Sequence, residues 1–190
     1  MNYPHWYYFV SLIDDLERIS RYVEIHPDNY RVFSIELTRL LLATCSEIDV
    51  VAKLLCTRLQ PATTCGNIDE YRQCITSAYP SFSSIEVKMM RHGISFVPWE
   101  SWKSGASPSW WKSYNNVKHE RNKFFHEANL ENAIWALGGF AVLIAHFHHN
   151  ELAESKFTPI PKFICVDPKY NRGSVMHGQP VYHMPDFPKK

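Results

Sequence analysis

The sequence predicts an all-α bundle of four to five helices, and three observations support this fold class. Two long segments carry apolar residues at helical spacing, and residues that favour helix starts precede several segments. Before the C-terminal tail, β-type patterning is confined to one short stretch. The last 33 of the 190 residues hold six of the twelve prolines, which excludes another long helix there. We therefore expect a helical body followed by an extended, proline-rich C-terminal tail.

The first two helices are predicted from their apolar stripes. In residues 9–23 apolar side chains recur every three or four positions, and we expect this helix to end before Pro27. Asp28 or Asn29 is expected to cap the second helix. Its stripe covers about seven turns within residues 33–58.

The middle and later elements have more varied signals. Residues 68–78 suggest a short polar helix, and residues 85–99 combine β-branched and aromatic residues around a His-Gly turn, which predicts a short β-hairpin. Pro108 after a serine favours a helix start. Asn129 is expected to cap a last helix over about residues 130–152.

This last helix contains two adjacent glycines, Gly138 and Gly139. Glycine inside a helix costs about 1 kcal/mol relative to alanine. We therefore expect a neighbouring helix to approach closely at this point. The apolar run 137–147 is too short, and too polar at its end, to be expected to cross a bilayer.

The chain length suits one domain with an extension. We expect a helical domain over residues 1–156 and an extended C-terminal tail over residues 157–190 that packs on it, with short strands around FICV and PVYHM. The N-terminal segment has no basic region and carries acidic residues where a signal peptide is apolar, so a cytoplasmic protein without membrane partners is expected.

Charge and cysteine content restrict the function. The net charge of +1 means that any contact with nucleic acid must come from a local basic patch. The five cysteines contain no Cys-x-x-Cys pair and are expected to be reduced and mostly buried. His146 and His149 lie three apart on a helix without a nearby acid to complete a site, so no metal or cofactor is expected.

The most unusual stretch is VKHERNKFFH, residues 117–126, with six ionisable side chains directly before the last helix. On a helical wheel Arg121 falls in the same arc as Phe124 and Phe125, so it is predicted to point toward the core, where arginine is normally avoided. Two structural explanations stay open: the side chain extends along the bundle edge, or it pairs with Glu47 on the second helix.

His126 follows Arg121 by five residues, and in an unbroken helix the two side chains diverge by about 140°. They converge only if the helix ends between Phe124 and Asn129, or if a second copy of the protein supplies one of them. Asn129 as a cap predicts such an end. A histidine near a helix C-terminus also has a simple structural explanation, because the helix dipole favours a cation there.

RNKFFH resembles the Arg-x4–6-His motif of the HEPN superfamily, whose members are helical bundles and in many cases metal-independent ribonucleases. A polar residue often follows the arginine in that family, and Asn122 stands at this position. Residues 113–147 resemble bacterial HEPN-like proteins of abortive-infection and related defence systems. The same spacing occurs at Arg21–His26 and Arg172–His177, but neither pair combines a polar residue after the arginine, a core-facing arginine and a following capped helix.

The resemblance implies a HEPN-like bundle that cleaves RNA through attack of the 2′-hydroxyl, leaving a 2′,3′-cyclic phosphate and a 5′-hydroxyl. It also implies a homodimer with both motifs lining one cleft, and a phage-defence or toxin–antitoxin setting with an antitoxin or defence-system partner protein. Histidine suits proton transfer near neutral pH, and the arginine fork suits phosphate. The residues expected to take part are Arg121, His126 and Asn122 in catalysis, Lys118, His119 and Lys123 in substrate binding, and Glu47 in support.

Two other interpretations stay open. The chain is then either a catalytically silent HEPN-like module that senses RNA or a nucleotide, or a helical interaction protein whose basic cluster is structural. An enzyme needs Arg121 and His126 together in an open cleft, whereas a silent module tolerates loss of His126.

Overall fold

The computed structural model describes residues 3–153, 163–167, 169, 171–176, 179–182 and 186. These residues are mostly helical, with two small antiparallel sheets, so the prediction of a predominantly α fold is confirmed. The helices are α1 (Pro4–Ile19), α2 (Ile35–Leu59), α3 (Ile68–Ala78), α4 (Ser109–Phe124), α5 (Leu130–Phe147) and α6 (His149–Ala153). The strands are β1 (Val87–Met89), β2 (Ile94–Phe96), β3 (Cys165–Val166), β4 (Asn171–Met176) and β5 (Gln179–Tyr182).

The start of α2 differs from the prediction. Asp28 and Asn29 lie in a separate 3-10 turn, so neither caps α2. The cap is Ser34, whose backbone is extended (φ −158°, ψ 170°) and whose hydroxyl accepts a hydrogen bond from the Leu37 amide at 3.1 Å. This geometry is the one that serine adopts at a helix start, since its side chain replaces a missing backbone acceptor.

The predicted hairpin is present, and the tail contributes to its sheet. Strands β1 and β2 pair antiparallel through a turn that ends at Gly93, whose φ of +64° favours glycine. Strand β3 pairs with the other edge of β1, giving the order β2-β1-β3. The boundary expected between residues 156 and 157 lies outside the described residues.

Helix α5 is the centre of the fold. Fifteen of its eighteen residues are buried, and it packs most extensively against α2. It is long and apolar enough to cross a membrane, but 83% of that window is buried inside the fold, as expected for a core helix. It ends at Phe147 rather than near residue 152, because the backbone of His148 leaves the helical region (φ −109°, ψ 31°) before α6 begins.

The two glycines of α5 face aromatic rings. A Cβ atom on Gly138 would lie 2.5 Å from Cε2 of Phe96, and one on Gly139 would lie 2.9 Å from Cζ2 of Trp110. The prediction that a neighbouring helix approaches closely is correct for Gly139, which meets Trp110 of α4, and wrong for Gly138, which meets Phe96 of the hairpin. The neighbours are side chains of the hairpin and of α4 rather than the backbone of another helix. Trp99 also donates a hydrogen bond from Nε1 to the Gly139 carbonyl at 3.0 Å.

Candidate functional site

A kink at Glu120 divides α4 into two unlike parts. Its φ of −137° and ψ of 50° are not helical. Before the kink the helix presents a buried face to the core, and after it residues 121–123 are all exposed. The buried residues of the first part are Trp110, Trp111, Ser113, Tyr114 and Val117.

Arg121 is exposed, so the prediction that it points toward the core is wrong. The helical wheel assumed one regular helix from residue 114 onward, and the kink at Glu120 changes the direction of every later side chain. Exposure removes the desolvation cost that made this arginine unusual. Within the described part of the chain its guanidinium makes no hydrogen bond or ion pair, so its five N–H donors face solvent.

Glu47 does not pair with Arg121. One of its carboxylate oxygens, Oε1, lies 2.6 Å from Nδ1 of His5 on α1, and both side chains are partly buried. The predicted pairing is therefore wrong, because a residue of the adjacent helix α1 occupies the carboxylate.

The predicted break between α4 and α5 is confirmed. Helix α4 ends at Phe124 (φ −112°, ψ 19°), a 3-10 turn covers Phe125–Glu127, and α5 begins at Leu130. Arg121 and His126 therefore do not belong to one regular helix, and the divergence expected for an unbroken helix does not apply. Five residues of helical backbone rise only about 8 Å, so both side chains start from a short exposed segment.

Asparagine side chains fix the backbone around His126. Asn129 accepts a hydrogen bond from the Asn132 amide at 3.0 Å and donates one to the His126 carbonyl at 3.3 Å. Asn132 donates from its side chain to the Glu127 carbonyl at 2.9 Å. Asn116 donates to the Glu127 carboxylate at 3.0 Å, which ties the turn back to α4. A turn held in this way loses little conformational entropy when it binds a ligand.

The first turn of α5 is already occupied by protein. The amide of Leu130 donates to the Val32 carbonyl at 2.9 Å, and the amide of Glu131 donates to the Tyr30 carbonyl at 3.2 Å. Phe33 adds an edge-to-face contact with Phe125 at 5.2 Å between ring centroids. Helix N-termini often bind phosphate through such amides, but these amides are used, so recognition of an anion here depends on side chains.

The remaining predicted residues are exposed, with different surroundings. Lys118 lies over the Tyr114 ring, with Nζ 5.4 Å from the ring centroid, and Lys123 forms an ion pair with Glu120. His119 is exposed on the same stretch. The charge of Lys123 is therefore partly neutralised, which leaves Lys118 and Arg121 as the cations of this region that have no acidic partner among the described residues.

Three cysteines form a cluster that was not predicted from the sequence. The Sγ atoms of Cys56, Cys65 and Cys74 all lie within 4.8 Å of one another. Cys56 lies near the end of α2, Cys65 in the loop and Cys74 on α3. Burial raises the pKa of Cys56 and of Cys74, so these thiols are poor nucleophiles at neutral pH. The three cysteines are spaced nine residues apart across the loop between two predicted helices, and this spacing is the feature of the sequence from which the cluster could have been predicted.

The histidines at the end of α5 belong to the interior. Burial lowers the pKa of His146 to about 4, and its Nδ1 lies 2.8 Å from the Val142 carbonyl. Among the described residues, the three cysteines are close enough together to share a metal ion. Neither His146 nor His149 belongs to this group.

The end of α4 and the turn after it therefore present five exposed polar side chains: two cations without an acidic partner among the described residues, an amide and two imidazoles. Such a surface can bind a phosphodiester, because its charged donors do not have to break an ion pair within the protein before they bind the phosphate oxygens. No family model, no curated protein and no solved structure matches the chain.

Proposed function

We propose that this protein is a metal-independent endoribonuclease with a HEPN-like bundle, in which Arg121 and His126 act on one phosphodiester. The observation that carries the proposal is the break between α4 and α5. It leaves an exposed guanidinium, without a partner among the described residues, five residues before an exposed imidazole whose backbone is held by hydrogen bonds. Buried or paired side chains at these positions would have argued for a structural role instead.

The chemistry uses groups that the chain supplies. His126 removes the proton of the RNA 2′-hydroxyl, and the 2′-oxygen attacks the adjacent phosphorus. The bond from phosphorus to the 5′-oxygen breaks, and that oxygen takes a proton from a second, protonated imidazole, which leaves a 2′,3′-cyclic phosphate and a 5′-hydroxyl. Arg121 binds the phosphate oxygens through its planar fork and stabilises the charge that develops on them. Asn122 and Lys118 add donors to the same backbone.

A second copy of the chain would complete this site. Of the histidines in this region only His126 is assigned to proton transfer, whereas the reaction removes one proton and delivers another, so the His126 of a second chain supplies the second group. We propose a homodimer in which the motifs of both protomers line one cleft with Arg121 near the dimer axis. Light scattering at tens of micromolar tests this step, and a monomer at that concentration would count against it.

The biological setting follows from the same resemblance. We propose a cytoplasmic enzyme of phage defence or of a toxin–antitoxin pair, held inactive by a partner protein. Growth of cells that express the wild type beside cells that express His126→Ala tests toxicity directly, and equal growth would remove this part of the proposal.

The activity test uses purified protein, RNA and EDTA. We expect cleavage to cyclic-phosphate ends, while DNA survives because it lacks the 2′-hydroxyl. His126→Ala should lower the rate by about a hundredfold or more, the usual size of a lost acid–base group. Arg121→Lys should also fail, since it keeps the charge and loses the bidentate fork.

The matched controls are Arg21→Ala and His26→Ala, which repeat the same spacing on exposed residues elsewhere. Both should cleave RNA as the wild type does. The same holds for His177→Ala, whose position lies outside the described residues. Cleavage by His126→Ala at the wild-type rate, or a requirement for divalent metal at the reaction step, would refute the nuclease proposal.

The exposure of every predicted side chain from Lys118 to His126 also suits a second function, RNA or nucleotide binding without cleavage. In that case the wild type binds RNA and leaves it intact, and His126→Ala binds equally well. Filter binding beside the cleavage assay separates the two functions.

A further inference from the structure

We propose that Cys56, Cys65 and Cys74 form a zinc site that joins α2 to α3. The three sulfur atoms come from three separate elements, the end of α2, the connecting loop and α3, and all lie within 4.8 Å of one another. The sequence analysis expected no metal because the cysteines lack Cys-x-x-Cys spacing. The helical hairpin replaces that spacing by bringing residues nine apart to one point.

The sulfur positions are close to those that zinc requires. With a zinc–sulfur distance of about 2.3 Å, two sulfurs of a tetrahedral site are about 3.8 Å apart. Separations of at most 4.8 Å therefore need a contraction of about 1 Å or less. Cys65 lies in the loop between α2 and α3, so its backbone can supply this movement without displacing a helix. Cys74 already faces the end of α2, because its thiol donates a hydrogen bond to the Cys56 carbonyl, with 3.9 Å between Sγ and the oxygen.

The surroundings support a metal with one open position. Cys56 and Cys74 are 1% and 3% exposed, and Cys65 is 9% exposed. Cys65 and Cys74 also line a cleft of about 340 Å³. Within the described residues no fourth histidine, cysteine or carboxylate joins the three thiols. The fourth ligand is therefore a water or another small ligand that enters from the cleft.

Charge favours zinc over copper(I), the other ion that thiolates select. Three thiolates and Zn²⁺ carry a net charge of −1, whereas the same thiolates with Cu⁺ carry −2. A buried group pays more for the larger charge. The Tyr71 hydroxyl donates a hydrogen bond to the Asp49 carboxylate at 2.8 Å, and this carboxylate is also paired with Lys53, so Asp49 adds little further negative charge.

The proposed site would stabilise the hairpin of α2 and α3. An ion that bonds to all three elements fixes the loop between them, and the free energy of metal binding then adds to the free energy of unfolding. The inference does not depend on the proposed ribonuclease activity, because it concerns different residues and a different readout.

The test is a titration of metal-free, fully reduced protein with Co²⁺, which takes the place of Zn²⁺ and absorbs visible light. We expect one Co²⁺ per chain, with thiolate charge-transfer bands and the strong d–d bands of a tetrahedral site, and displacement by Zn²⁺. Cys65→Ser should weaken binding at least about tenfold. Cys165→Ser is the matched control, because that thiol is partly buried and lies outside the cluster, and it should bind as the wild type does.

A second measurement does not depend on any variant. Zinc at a hundred times its Kd should raise the Tm of the wild type by roughly 5–10 °C, and X-ray absorption of the zinc-loaded protein should count three sulfur ligands. The proposal fails if reduced wild type binds less than one ion per chain, if Cys65→Ser keeps the cobalt spectrum, or if fewer than three sulfurs are counted.

Discussion

The two parts of α4 are adjacent in the chain but differ in burial and in the contacts that hold them. Before Glu120 the helix buries Trp110 and Tyr114 against the core, and after it Arg121 and Lys123 are exposed. The first part is held by packing. The second part is held through the turn that follows it, by hydrogen bonds to and from asparagine side chains.

This difference separates the residues that stabilise the fold from those that we propose bind or cleave RNA. Residues before the kink have neighbours that fix their identity, whereas residues after it have solvent on one side and a fixed backbone beneath them. Substitutions of the buried residues in the first part should therefore lower the free energy of unfolding, whereas substitutions in the second part should change binding or catalysis at nearly constant stability.

The largest expected effect is that of Trp110→Ala. The ring is fully buried, faces Gly139 and donates a hydrogen bond from Nε1 to the Pro98 carbonyl at 3.0 Å. Its loss should lower the free energy of unfolding by about 3–5 kcal/mol, because a large cavity remains. Urea unfolding measures the change. Lys112→Ala, on the exposed side of the same part, is the control, and an equal loss in both variants would contradict the comparison.

A smaller effect is expected in the pH dependence of the free energy of unfolding, to which the buried histidine His146 contributes. Burial lowers the pKa of His146 to about 4, whereas the unfolded chain titrates near 6.5. Between these values the unfolded state binds a proton that the folded state does not, so the free energy of unfolding falls as the pH falls, and this contribution is constant above pH 6.5.

From pH 7 to pH 5 the loss due to His146 should be about 2 kcal/mol. Urea unfolding at several pH values measures the slope, and His146→Gln should reduce it by this contribution whatever its effect at pH 7. A slope should remain, because burial also lowers the pKa of His148 to about 4. An unchanged slope in His146→Gln would show that this imidazole is not the group that titrates.

The smallest expected effect is that of Arg121→Ala on stability. The side chain is exposed and has no hydrogen bond or ion pair within the described residues, so the free energy of unfolding should change by less than about 0.5 kcal/mol. Differential scanning calorimetry measures it. A loss above about 1 kcal/mol would mean that the arginine supports the fold, and would remove the distinction between the two parts of α4.

The sequence was informative wherever a local signal determined the structure. Asn129 marked the start of α5, the His-Gly pair marked the hairpin turn, and the bounds of α3 agree with the predicted residues 68–78. These features depend on a side chain that caps a helix or on a glycine at positive φ, and both are visible in a few residues. The mainly helical class followed from such signals.

The sequence was less informative where distant residues determine the geometry. Neither proline nor glycine marks the kink at Glu120, so a helical wheel placed Arg121 on the wrong side. The partner of Glu47 is His5, 42 residues away, and no local pattern indicates that pair. The three clustered cysteines likewise depend on how α2 and α3 fold against each other.

The two glycines of α5 have a consequence for how this helix is specified. On intrinsic propensity, residues 138–139 weaken a helix by about 1 kcal/mol each. The rings of Phe96, Trp99 and Trp110 fill the space that the missing side chains leave, and Trp99 also binds the Gly139 carbonyl. Part of the information that makes α5 a helix is therefore carried by the hairpin, by the loop after it and by the first turn of α4, and a change in any of these rings alters a helix that does not contain it.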